Sequence, residues 1–144
     1  MAEIGFYHLT RTSVEQALPK LLGNTLKAGH RAVVLLGSPE RVATLDALLW
    51  ACTDPDWLPH GTPATGDADM QPIWLTDQDD APNGAKFAFL LDGRQIALLG
   101  SFLRVFDLFD EKDVAAARLR WAAVKAAGHQ LTYWQQGVKG WEKK

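Results

Sequence analysis

Cysteine is almost absent from this sequence. Cys52 is the single one among 144 residues, so no disulfide can form within the chain. No run approaches the roughly 20 apolar residues of a membrane helix, because Asp, Gly or Arg interrupts the longest apolar stretches. The first residues also lack the charged segment followed by an apolar one that marks a secretory signal. These features predict a cytoplasmic protein that does not enter a membrane.

A large excess of charge is also missing. The net charge of −2 and the pI near 6.0 provide no overall positive field that would attract nucleic acid. The charges are unevenly placed, however: residues 1–110 contain 8 Lys and Arg against 14 Asp and Glu, whereas residues 111–144 contain 7 against 3. The basic last quarter favours a local anionic partner, and the alternative is a solvated charged helix.

Motifs for catalysis and for cofactor binding are missing as well. No GxxxxGK[ST] loop occurs, the four histidines are scattered, and Cys52 has no base beside it except His60 in a predicted loop. The turn at Gly37-Ser38 is a weak candidate for anion binding, and a purely structural role is favoured. We therefore expect no catalytic site, no metal and no cofactor.

Apolar runs alternate with segments of helical periodicity. The predicted strands cover residues 4–9, 31–36, 72–76, 86–91, 103–109 and 129–135, the last at an edge of the sheet. The predicted helices cover about residues 12–28, 39–50 and 110–127, and Pro19 is expected to bend or shorten the first. Helices between strands require crossover connections. The pattern predicts one domain over residues 1–144, an α/β three-layer sandwich with a mostly parallel sheet.

The helix that begins near Glu111 carries two stripes at helical spacing. A stripe of mostly small side chains is predicted to pack on the sheet: Ala115, Leu119, Ala122 and Ala126. A second stripe places an indole between two cations on a more exposed side: Val114, Arg118, Trp121 and Lys125. This stripe suits an acidic peptide with an aromatic residue, and the alternative is a Trp at the core edge beside a solvated Arg.

Six tryptophans are many for this length. Trp50 ends a predicted helix and Trp57 follows in a loop, so both indoles either form one surface patch for a protein partner or close over the core. In a second hypothesis, Trp121, Trp134 and Trp141 stack on bases among the C-terminal cations, which would make the chain a direct single-stranded nucleic-acid binder.

Several segments together resemble one known family. They are FYHL at 6–9, LDALLW at 45–50, WLPHG at 57–61, RVFDLFD at 104–110 and AARLRWAAVKAAGHQLTYWQQ at 116–136. In this order they are similar to the chi subunit of bacterial DNA polymerase III, and the resemblance covers nearly the full chain. It implies a mononucleotide-binding-like, Rossmann-like fold without nucleotide chemistry.

The resemblance also implies partners and sites. A chi subunit pairs with the psi subunit of the clamp-loader complex and binds the acidic C-terminal tail of single-stranded DNA-binding protein, so it contacts DNA mainly indirectly. Arg118 and Trp121 match the family's Arg-x-x-aromatic pair for the tail, with Phe109 in the same pocket. Ala122 stands where the family often has a basic residue, so Lys125 or Lys112 has to supply the second charge.

The resemblance assigns a second surface, for psi or another protein partner. Its residues fall in the family's LW and FxPH motifs: Trp50, Trp57, Leu58 and His60. The sequence thus predicts a non-catalytic replication adaptor, with direct nucleic-acid binding as the alternative.

Overall fold

The computed structural model of the chain describes residues 3–51, 58–95, 101–138 and 140–144. The described residues include seven strands and three α-helices. The strands are β1 (Glu3–Leu9), β2 (Ala32–Leu35), β3 (Ile73–Thr76), β4 (Phe87–Leu90), β5 (Arg104–Asp110), β6 (Gln130–Gly137) and β7 (Gly140–Lys143). The helices are α1 (Val14–Lys27), α2 (Pro39–Ala51) and α3 (Val114–Ala126).

The strands form one sheet in the order β3-β2-β4-β5-β1-β6-β7. All neighbouring pairs are parallel except β6 and β7, which pair antiparallel. The predicted mostly parallel α/β sheet is therefore confirmed. The prediction that 129–135 is an edge strand was wrong, because β7 lies outside β6 and pairs Gln136 with Trp141. The short segment GWEK carries too little apolar alternation to be recognised as a strand.

Helices cover both faces of the sheet, which gives three layers. Helices α1 and α2 pack on one face, where Leu22 and Leu45 meet β-strand residues such as Phe106 and Leu108. Helix α3 packs on the other face, where Ala117 meets Val105 and Phe109. Successive residues of β5 thus belong to opposite layers, as the alternation of side chains in a strand requires.

Local signals explain where helix α1 begins and continues. Ser13 and Gln16 form a capping box: the Ser13 hydroxyl accepts from the Gln16 amide, and the Gln16 side chain accepts from the Ser13 amide. Pro19 lies inside the helix, which nevertheless continues to Lys27. Pro19 therefore does not shorten the helix, and the other expected outcome, a bend at Pro19, stays a prediction. Buried Leu18 and Leu22 anchor the turn around the proline to the sheet.

Helix α3 packs on a different face from the predicted one. The stripe expected to be buried points to solvent, and its Leu119 is 75% exposed. Ala117 and Arg120 are buried instead, and Val124 packs against the same cluster. Alanine occurs all around this helix, so its spacing does not single out a buried face. A carboxylate on β5 decides the orientation because it pairs with Arg120 beneath the helix.

Two other predictions concern residues outside or next to the described ones. Cys52 and Trp57 lie outside the described residues, so neither the surroundings of Cys52 nor the position of Trp57 is tested. The described end of that loop approaches the edge of the sheet, where Gly61 forms a parallel bridge with Trp74 of β3. None of the described helices is long and apolar enough to span a bilayer.

Candidate functional site

A cavity of about 190 Å³ opens between helix α3 and the strands beneath it. Strands β1, β5 and β6 supply three aromatic side chains, and α3 supplies the remaining wall. The lining residues are Phe6, Phe109, Val114, Ala117, Arg118, Trp121 and Tyr133. Four of them belong to the predicted tail site: Phe109, Val114, Arg118 and Trp121. The structure thus brings these four side chains together around one cavity.

The aromatic side chains that line the cavity pack against one another edge to face. The Trp121 indole contacts Phe6 at a centroid distance of 5.2 Å and Tyr133 at 6.1 Å, with interplanar angles of 68° and 70°. Phe109 lies below, 6.4 Å from Phe6. Such T-shaped pairs are favourable beyond the area that they bury. They fix the half-buried Trp121 as a wall of the cavity, one face of which stays accessible.

The Arg118 side chain is exposed at the rim of the same cavity. Within the described part of the chain, no carboxylate forms an ion pair with its guanidinium. The Arg118 charge nevertheless acts on Tyr133 in the cavity wall. Burial raises the pKa of the Tyr133 phenol above its ordinary value, and the positive charge of Arg118 opposes that shift. A fork of free N–H donors beside an aromatic cavity can bind a carboxylate whose neighbouring apolar group enters the cavity.

Lys125 is exposed on the same stripe of α3, but it does not line the cavity. Lys112 is exposed in the turn before the helix. Neither lysine is placed as a wall of the site. Both therefore act on a ligand only through longer-range attraction, which salt weakens.

Sequence reasoning missed a polar cluster next to the cavity. The Tyr133 hydroxyl lies 3.0 Å from Nδ1 of His8, and the His8 ring stacks on Phe109 at 5.0 Å. Nε2 of His8 lies 3.1 Å from a Glu111 carboxylate oxygen, without the alignment of a hydrogen bond. The cluster anchors Tyr133. Phe6 and His8 both lie in the FYHL strand, whose alternation could have indicated that they share the α3 face.

A second missed feature is a buried ion pair beneath α3. Arg120 donates from Nε and Nη2 to the two carboxylate oxygens of Asp107, at 2.7 and 2.8 Å, and both residues are buried. Burial raises the pKa of Asp107, and the Arg120 guanidinium opposes that shift. The pair borders another cavity of about 150 Å³, which Phe6 also lines. A charged residue within the apolar run RVFDLFD was the available signal.

Among the described residues of the second predicted surface, which exclude Trp57, one is clearly exposed. Trp50 is 60% exposed and lies on the His60 ring at 4.3 Å. Leu58 and His60 are buried. His60 holds its loop to helix α2, because its Nδ1 lies 2.7 Å from the Leu58 carbonyl and its Nε2 lies 2.9 Å from Asp46 Oδ1. Leu58 and His60 therefore support the surface from below, and Trp50 is the part that a partner can contact.

The turn after β2, the weak candidate for anion binding, is filled from within the chain. The Asp92 carboxylate accepts from the Gly37 amide at 3.0 Å and from Nε of Arg41 at 3.1 Å. Arg41 also pairs with Glu15 of α1 at 2.8 Å. An external anion would have to displace this carboxylate. The purely structural interpretation of the turn is thus the one that the contacts favour.

The remaining tryptophans bear on the nucleic-acid hypothesis. Trp134 and Trp141 pack around Tyr7 in the layer of α1 and α2, with ring distances of 6.0 and 5.0 Å. Trp121 lies in the opposite layer, under α3. The three indoles therefore do not form one platform for successive bases.

Comparison with known proteins gives two findings. Residues 1–132 match the family model described as DNA polymerase III chi subunit, HolC. A curated protein of Rickettsia prowazekii (strain Madrid E), described as probable DNA polymerase III subunit chi, is 23% identical over 109 residues. The alignment covers 74% of this chain and 66% of that relative, so it spans slightly less than two thirds of the relative's length.

Proposed function

The chain belongs to the DNA polymerase III chi subunit family, and on this basis we propose that it is a non-catalytic adaptor of the replication machinery. In this proposal it binds the acidic C-terminal tail of single-stranded DNA-binding protein on one side. It binds the psi subunit of the clamp-loader complex on the other. It would act in the cytoplasm, at the replisome, and reach DNA mainly through these proteins.

The tail-binding proposal rests on one observation, that Arg118 and Trp121 line the same cavity. A tail that ends in a carboxylate and an apolar side chain offers two complementary groups. The Arg118 guanidinium pairs with the carboxylate, and the side chain enters the cavity that Trp121 and Tyr133 line. Charge-assisted hydrogen bonds are about twice as strong as neutral ones. The aromatic walls remove water from the contact and so strengthen it further.

The second charge of the site differs from the usual pattern of the family. Ala122 is exposed and carries no charge, and the two nearby lysines lie outside the cavity wall. In the proposal, Lys125 and Lys112 attract the acidic residues that precede the tail's end. This attraction sets the association rate more than the bound lifetime. Tail binding should therefore be held mainly by Arg118 and Trp121.

The partner surface around Trp50 is the other half of the adaptor. An exposed indole that packs, tilted by 38°, on a buried His60 with two hydrogen bonds is a rigid anchor. Trp50 projects from the end of α2, in the layer opposite to the tail cavity. Both partners could consequently be bound at the same time.

Replacement of Arg118 with Ala tests the tail site. We expect the affinity for a synthetic peptide with the acidic C-terminal sequence of single-stranded DNA-binding protein to fall at least tenfold, about 1.4 kcal/mol, in isothermal titration calorimetry. The matched control is Lys27→Ala, which removes an exposed cation from α1 in the opposite layer. Equal affinity of the Arg118→Ala and wild-type proteins would remove the proposed site.

A parallel titration separates the adaptor from a nucleic-acid binder. A single-stranded oligonucleotide is expected to bind the wild-type protein much more weakly than the tail peptide does. Tight oligonucleotide binding that declines steeply with salt would favour the alternative hypothesis.

A further inference from the structure

A groove of about 410 Å³ lies in the layer opposite to the tail cavity. Helix α2 forms one wall and the loop at residues 62–65 forms the other. The lining residues are Pro39, Val42, Ala43, Asp46, Thr62, Pro63, Ala64, Thr65 and Asp77. The groove is therefore mostly apolar.

The groove and the exposed Trp50 lie on one face of α2. Pro39, Ala43, Asp46 and Trp50 follow the spacing i, i+4, i+7, i+11, which places them on a single helical stripe. His60 links the two regions, because it bonds to Asp46 at one end and carries the Trp50 indole on its ring. A segment that covers Trp50 can thus continue along α2 into the groove.

The polar groups of the groove favour a cationic occupant. Asp46 and Asp77 are the charged residues that line it, and no Lys or Arg is among the lining residues. The hydrogen bonds of Thr65 stay within its loop, since its hydroxyl accepts from the Thr62 amide and donates to the Thr62 carbonyl. Oδ1 of Asp46 is bonded to His60, and Oδ1 of Asp77 accepts from the Gln78 side chain. The second oxygen of each carboxylate can attract a Lys or Arg.

From these contacts we propose that the groove receives an apolar segment of a polymerase III partner subunit that carries a lysine or arginine. Apolar side chains of this segment lie against Ala43 and Ala64, and its cation lies between Asp46 and Asp77. Trp50 packs at the other end of the same segment. This inference rests on the proposed function, because it extends the partner surface around Trp50.

Charge reversal in the groove is the direct test. The probe is the polymerase III assembly of the source organism, purified without this subunit, and its affinity for each variant is measured by biolayer interferometry. We expect Asp77→Lys and Ala43→Arg each to weaken binding at least tenfold, and Asp77→Asn to weaken it about threefold. The Asp77→Lys deficit should shrink as salt is added, because screening reduces the repulsion.

The matched controls are Asp69→Lys, an exposed acidic residue outside the groove, and Thr44→Arg, on the opposite side of α2. Both should bind as the wild type does. All variants should keep wild-type affinity for the tail peptide, which verifies that they fold. Stronger binding by Asp77→Lys would overturn the proposed cationic segment. The proposal would also fail if the chain self-associates and sedimentation shows that Ala43→Arg makes it monomeric, because the groove would then bind a second copy.

The variant Trp50→Ala distinguishes the two levels of the proposal. If Trp50→Ala weakens binding and the groove variants do not, the groove inference fails and the partner surface stands. If none of these variants changes the affinity, the partner surface itself is wrong. Loss of binding in Trp50→Ala and in both groove variants supports the full proposal.

Discussion

Replacement of Arg120 with Met is expected to lower the free energy of unfolding by about 3–5 kcal/mol. The change leaves the Asp107 carboxylate buried beneath α3 without the two hydrogen bonds that the guanidinium donates. An uncompensated buried charge is far more costly than the loss of an exposed ion pair. Urea denaturation at neutral pH, followed by tryptophan fluorescence, measures the change.

Two comparisons make this prediction specific. Arg118→Met removes an exposed guanidinium two residues away and should change stability by no more than about 0.5 kcal/mol. The double variant Asp107→Leu/Arg120→Met removes both charges and should recover most of the loss. If Arg120→Met were as stable as Arg118→Met, the pair would not hold α3 to the sheet.

The same variant should respond to pH in a defined direction. Burial already raises the pKa of Asp107 above its ordinary value, and loss of Arg120 raises it further. A group whose folded-state pKa is raised destabilises the fold as pH rises through that pKa. The deficit of Arg120→Met should consequently be largest at neutral pH. It should shrink as the pH falls toward about 4, near the ordinary pKa of Asp, because the buried carboxyl of the folded variant is then protonated and neutral.

Phe6→Ala is expected to cost about 3–5 kcal/mol of stability. Phe6 is buried and lines both cavities beneath α3, so its removal joins them into one larger void. Trp121 would also lose the edge-to-face contact that holds its indole. We expect weaker binding of the tail peptide even at temperatures where the variant stays folded.

Phe6→Leu serves as the milder comparison. It keeps most of the volume and should cost about 1.5 kcal/mol or less. Urea denaturation gives the stabilities, and calorimetry on the folded proteins gives the peptide affinities. If Phe6→Ala kept the affinity of the wild type, the indole would be positioned by Tyr133 and α3 alone.

The strands and the layers could be predicted because each carries a local signal. Runs such as RAVVLL and KFAFLL have the composition of buried parallel strands, and they lie within one or two residues of β2 and β4. Ser13 and Gln16 mark the start of α1 through a capping box. Arg118 and Trp121 were predicted to share one side of α3 because they are three residues apart, about one helical turn. Their proposed role in tail binding came from the resemblance to the chi subunit family.

The missed features depend on contacts between distant residues. Arg120 meets Asp107 13 positions earlier, and Tyr133 meets His8 from 125 positions away. The alanine-rich helix α3 has no clear hydrophobic stripe, so the sequence alone did not show which of its faces packs on the sheet. The ion pair between Arg120 and Asp107 is what identifies that face. Phe6 was recognised as part of a strand, but the face to which it points depends on the register of β1 with β5 and β6.

The Asp92 carboxylate supplies an anion from within the chain at the turn after β2. It ties the start of α2 to α1 through Arg41. A permanent internal anion neither leaves nor is hydrolysed. We therefore expect the position of the start of α2 relative to α1 to be the same whether ATP is present or not.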